Sequence, residues 1–148
     1  MATSTAPAQR LLISSPAEAF AAIALAAVCC DGELSAAEAR GLRQLLEFRT
    51  PFRHRDAAEM GALLDHLLAI LRCDGWPALV EQAVPLLTPD QRQTALAVAV
   101  QLTLVDEVSC SDERRFLQQL AERLEVAPDR LATIEDVIGL LHRDSLAD

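Results

Sequence analysis

Two stretches of this chain read as helices that are apolar nearly all round: Pro16–Cys30 (PAEAFAAIALAAVCC) and Pro89–Val105 (PDQRQTALAVAVQLTLV). A helix without a polar face must be surrounded by other elements, because no orientation at a surface keeps it from water. Any fold that accepts this chain therefore has both stretches at its centre and enough amphipathic elements to cover them. The chain is built for that. It holds 26 Ala and 25 Leu against 9 Val and 5 Ile, a balance that favours helix over strand. Hydrophobic residues make up 51% of its 148 positions, ample for one core in one domain.

Start and stop signals divide the chain into seven predicted helices. Ser15-Pro16-Ala17-Glu18 opens the first, with Ser at the N-cap, Pro at the first helical position and Glu at N3. The second starts at Ser35, with Glu38 three residues on, and ends near Phe48 before Thr50-Pro51. The third covers Asp56–Arg72, with Met60, Leu63, Leu64, Leu67, Leu68 and Leu71 at helical spacing, and stops at Asp74-Gly75. A short fourth spans Pro77–Leu87. The fifth opens at Thr88-Pro89-Asp90-Gln91, the sixth covers Ser111–Leu124 and the seventh Pro128–Arg143. Residues 1–14 are expected to form a mobile lead, in which Leu11, Leu12 and Ile13 have the character to pack down. The first apolar run could be taken for a signal-peptide core, but Glu18 interrupts it and the helix-start signature precedes it. It is also shorter than the roughly 20 apolar residues that a bilayer requires. A cytoplasmic protein without a transmembrane segment is the expectation.

The charge balance excludes several functions. The formal net charge is −9, and all 13 basic residues are Arg. Such a chain is expected to bind neither nucleic acid, whose phosphates demand neutralising cations, nor an anionic membrane surface. Cys29, Cys30, Cys73 and Cys110 form no C-x-x-C pair, so they read as small core residues of a reducing compartment and not as a zinc site. His54, His66 and His142 show no ligand spacing. Trp76, after Asp74-Gly75, reads as the anchor of a loop. Nothing like a G-x-S-x-G elbow offers a hydrolase nucleophile.

The two halves of the chain agree when shifted by 75 residues. Asp31 then falls on Asp106, Glu38 on Glu113, Arg40 on Arg115, Leu42 on Leu117 and Leu45 on Leu120. Each half is an apolar helix, an acidic loop and an amphipathic helix. An alternative register, with one deletion, pairs Glu33 with Glu107, Ser35 with Ser109 and Glu38 with Asp112.

The repeat resembles the tellurite-resistance protein B family, the TerB-like domains, whose hallmark is an apolar helix followed by Asp-Gly-x-x-x-x-x-Glu, used twice. Residues 31–38 (DGELSAAE) match it in full. The second copy keeps Asp106 and Glu113 but has Glu107 where a glycine is usual; Glu107 must use ordinary backbone angles or bear strain. Glu113-Arg114-Arg115-Phe116-Leu117 and the final helix after Leu124-Glu125-Val126 also look typical of the family. The resemblance covers residues 15–142. It implies an all-α fold of about seven helices, with two pseudo-symmetric repeats around a central helix pair, in a single domain over residues 15–148. It also implies a non-enzymatic role in tellurite resistance, stress response or a related protein interaction, with acidic residues holding a metal ion.

Asp31, Glu38, Asp106 and Glu113 are accordingly the candidate metal ligands, with Glu33, Glu107 and Asp112 in support. Four carboxylates brought to one axis would raise one another's pKa unless a cation relieved them, and Ca²⁺ or Mg²⁺ suits such oxygen donors. The loop is too short for an EF-hand, and its glycine follows the first Asp directly. Against this stands a structural account: Glu38 is explained by helix capping and Asp31 by the turn before Gly32. The expected partners are other proteins, a second copy of the chain among them. The competing function is a metal-free protein-interaction or co-chaperone-like scaffold.

Overall fold

The structure, a computed structural model, describes residues 11–29, 33–105, 113–143 and 145–146. Among them the chain forms seven α-helices and no strand. They are α1 (Pro16–Val28), α2 (Ala36–Glu47), α3 (Ala57–Asp74), α4 (Trp76–Ala83), α5 (Pro89–Val105), α6 (Glu113–Arg123) and α7 (Pro128–Leu141). Short 3₁₀ turns at Phe52–His54 and Val84–Leu86 follow α2 and α4. The Thr50–Pro51 peptide is cis.

The local chemistry of the helix starts at Ser15, Ser35 and Thr88 is as the sequence predicts. Ser15 Oγ accepts from the Glu18 N–H at 3.1 Å. Ser35 and Glu38 form a full capping box, as do Asp56 and Glu59. Thr88 and Gln91 exchange the same pair of bonds at 2.9 and 3.2 Å. Each arrangement satisfies backbone donors that a helix start would leave bare.

Every residue of α1 from Ala21 to Val28 is buried, as is Ala19. The helix contacts α2, α3, α4 and α5, and its packing with α5 is the most extensive of any pair. Its six buried alanines lack the bulk to hold neighbours off, which allows close approach. α5 corrects the sequence expectation in one respect: Asp90, Gln91 and Thr94 are exposed, and Leu104 is 46% exposed. Its buried residues fall between Ala95 and Thr103, with Ala97 and Gln101 half-buried among them.

The pairs α1–α2 and α5–α6 occupy corresponding stretches of the two halves, but their surroundings differ. α2 packs on α1 and on the turn at Phe52–His54, whereas α6 packs on α5, α7 and α4. Trp76, the first residue of α4, anchors that last contact. Its ring meets Phe116 edge-on at 4.7 Å, and the Arg123 guanidinium lies over it at 5.6 Å.

Of the lead at 1–14, residues 1–10 lie outside the described residues. Leu11–Ser14 lie against the helices. Ile13 is buried and its N–H donates to Gln82 Oε1 at 2.8 Å, while Gln82 Nε2 donates to the Leu11 carbonyl at 3.3 Å. A ring nitrogen of His66 sits 2.9 Å from the Leu12 carbonyl.

Candidate functional site

The first turns of α1 and α5 line one cleft, through Ala17 and Phe20 on one side and Asp90, Gln91 and Thr94 on the other. The two helices start there and remain packed together, so they run side by side in the same direction. The acidic segments 30–32 and 106–112 follow their opposite, C-terminal ends.

Asp31, Asp106, Glu107 and Asp112 lie outside the described residues, as do Cys30 and Cys110. Glu113 is the first residue of α6, and its side chain is likewise outside what is described. Glu38 is half-buried in the first turn of α2. Its Oε1 accepts from the Ser35 N–H at 2.9 Å, and its own N–H donates to Ser35 Oγ at 3.1 Å. One carboxylate oxygen of Glu38 is thus committed to the cap. Glu33 is exposed. Among the described residues no group of three or more His, Cys, Asp or Glu side chains is placed to hold a metal. In their chemistry the four candidate ligands suit a hard divalent cation, since all are carboxylates.

The other residues singled out in the sequence fall into structural positions. Cys29 is fully buried, as a core residue, whereas Cys73 is exposed at the end of α3 and corrects the expectation that it lies in the core. His54 and His142 are exposed, and His66 holds the lead segment, 3.8 Å from Glu18 Oε2.

A comparison with protein families decides what these helices belong to. The family described as TerB, tellurite resistance protein TerB, matches residues 17–136, from the second residue of α1 into α7. The chain belongs to the TerB family. No curated protein and no solved structure matches it. The TerB match takes in both halves of the repeat and leaves out the anchored lead and the last turn of α7, where Val137, Leu140 and Leu141 are exposed. No helix among the described residues of this TerB domain is long and apolar enough to cross a membrane.

One feature of the TerB domain escaped the sequence reading. Net charge conceals a local basic segment: Arg49-Thr50-Pro51-Phe52-Arg53-His54-Arg55 carries three Arg and a His in seven residues, without an acid. This segment closes the cleft over the starts of α1 and α5, a volume of about 570 Å³. Counting charge in a short window, and not over the whole chain, is the signal that finds it.

Proposed function

We propose that this TerB domain is a non-enzymatic accessory protein of tellurite resistance and the related stress response. It acts in the cytoplasm through protein partners, and its paired acidic segments hold a divalent cation. The observation that supports this most directly is the shared direction of α1 and α5. Asp31 and Asp106 follow the C-terminal ends of two helices that start together and pack along each other. A helix C-terminus carries partial negative charge, so an acid there is repelled where one at an N-terminus would be favoured. Capping explains Glu38; it gives no reason for an aspartate to recur after each buried helix. A hard cation does, by neutralising the carboxylates and both helix ends together. Asp31, Glu38, Asp106 and Glu113 would hold it, Glu38 through the oxygen its cap leaves over.

Thermal unfolding of the full chain, with and without millimolar Ca²⁺ or Mg²⁺, tests the reading. A cation that binds only the folded state raises the melting temperature by mass action. Asp31→Asn with Asp106→Asn should abolish that rise and, in metal-free protein, leave stability equal or higher by relieving repulsion. If neither ion moves the melting temperature, the cation reading fails and the metal-free scaffold or co-chaperone-like module replaces it. The capping box that already occupies Glu38, and the exposed apolar end of α7, are what favour that second reading.

A further inference from the structure

At the N-terminal ends of α1 and α5, the cleft combines two guanidinium groups with apolar walls. Phe20 and Phe52 stand side by side, ring centroids 6.3 Å apart. Arg49 lies over the Phe20 ring at 5.5 Å and Arg55 over the Phe52 ring at 6.0 Å. A guanidinium held over an aromatic ring by its charge keeps N–H donors that the ring does not use. Both side chains line the cleft, and neither guanidinium donates a hydrogen bond or pairs with a carboxylate among the described residues. The one acid in the lining is Asp90, at the exposed start of α5. Pro16, Pro51, Phe20 and Leu87 supply the apolar surface. The volume of about 570 Å³ falls in the range of small-molecule sites.

We propose that this cleft binds a small organic anion, a carboxylate or phosphate carried on an apolar body. Arg49 and Arg55 grip the oxyanion through their in-plane donors, and the body lies against Phe20 and the two prolines. The planar fork of arginine matches both oxyanions. A polyanion is the wrong ligand, because a domain of net charge −9 would repel the rest of its charges. An inorganic ion is too small for the cleft and would leave the apolar walls unused. The proposal stands apart from the acidic segments and does not depend on a cation.

The test is a titration of the full isotope-labelled chain, followed through its amide resonances, with phenylacetate and with phenyl phosphate as probes. Inorganic phosphate and 2-phenylethanol test each half of the ligand alone. At least one of the two aryl anions is expected to saturate, shifting the resonances of Ala17, Phe20, Thr50 and Phe52–Arg55, and to bind more tightly than either half. The tighter of the two reports whether the natural ligand is a carboxylate or a phosphate. Arg49→Gln with Arg55→Gln should weaken binding by about tenfold or more, the worth of a charge-assisted hydrogen bond. Arg49→Lys with Arg55→Lys keeps the charges and loses the fork; this second variant should also bind more weakly, and it serves alone if the glutamine pair fails to fold. Three results overturn the proposal: no saturation by either aryl anion up to about 20 mM, far weaker than two charge-assisted contacts should give; 2-phenylethanol or inorganic phosphate binding as tightly as the aryl anions; or variants that bind as the native chain does.

Discussion

Glu125 holds a backbone conformation that usually belongs to glycine. Its φ is 60°, and it closes α6 in a motif where the Val126 N–H reaches the Ala121 carbonyl at 2.9 Å and the Glu125 N–H reaches that of Glu122 at 3.1 Å. A side chain there costs about 1–2 kcal/mol of steric strain. What favours glutamate is Arg92, whose Nη1 lies 2.9 Å from Glu125 Oε2 while its Nε donates to the Val84 and Leu87 carbonyls. Glu125→Ala and Glu125→Gly both lose the ion pair, but only the alanine keeps the strain. Urea denaturation should therefore find the glycine variant more stable than the alanine variant by about 1 kcal/mol. Equal stabilities would show that the position is unstrained. Leu102, only 7% exposed in the last turn of α5, illustrates the other residue-scale force. Leu102→Ala opens a cavity between packed helices and should cost about 2–5 kcal/mol in the same assay.

At the scale of elements, the starts and stops carry the information. Gly75 ends α3 and begins α4 with φ 85° and ψ 163°, a region essentially closed to residues with a Cβ. An added Cβ would meet only Pro77 Cδ, at 3.7 Å, so space is not the obstacle. Gly75→Ala should cost about 1–3 kcal/mol through the backbone alone, measured by thermal unfolding. A neutral result would mean that the α3–α4 junction relaxes without penalty. The capping box of α2 gives a companion measurement. Ser35→Ala removes a cap and should cost about 0.5–2 kcal/mol, by the same amount with and without Ca²⁺. The cost of the aspartate substitutions, by contrast, should depend on the cation: they remove the stabilisation that Ca²⁺ gives the native chain and cost nothing in metal-free protein. That difference separates the structural work of the α2 start from any ligand chemistry of Asp31 and Asp106.

At the scale of the whole molecule, α1 is the axis. It is the one helix in contact with α2, α3, α4 and α5 together. The lead segment extends this arrangement by crossing from α1 to α3 and α4 through His66 and Gln82. Gln82 is the pivot, since one side chain both accepts from Ile13 and donates to Leu11. Gln82→Ala should unfasten the segment at a cost of about 1–3 kcal/mol, because the half-buried Ile13 amide bond loses its acceptor. Hydrogen exchange at the Ile13 amide should accelerate while exchange in the middle of α1 changes only with global stability. Unchanged protection at Ile13 would show that its burial, and not Gln82, holds the segment.

Much of this was legible in the sequence because it depends on near neighbours. Helix starts are written in three or four consecutive residues, which is why Ser15, Ser35 and Thr88 could be read directly. Burial of the first apolar run, and of the second from Ala95 onward, follows from hydrophobicity around the whole circumference, a property of one segment. The 75-residue repeat carried the family resemblance. What depends on distant parts of the chain was not legible. The common direction of α1 and α5, the different neighbours of α2 and α6, and the fastening of Leu11–Ile13 by Gln82 each join residues that no local rule relates. The cleft is the plainest case. Arg49–Arg55 is a short basic run whose meaning comes from packing against Phe20 and the start of α5, residues about 30 to 40 positions away in either direction. Sequence determines which segments must be covered, because covering follows from their own surface; tertiary structure decides what covers them, because many arrangements bury the same apolar area and only one brings these guanidinium groups to one cleft.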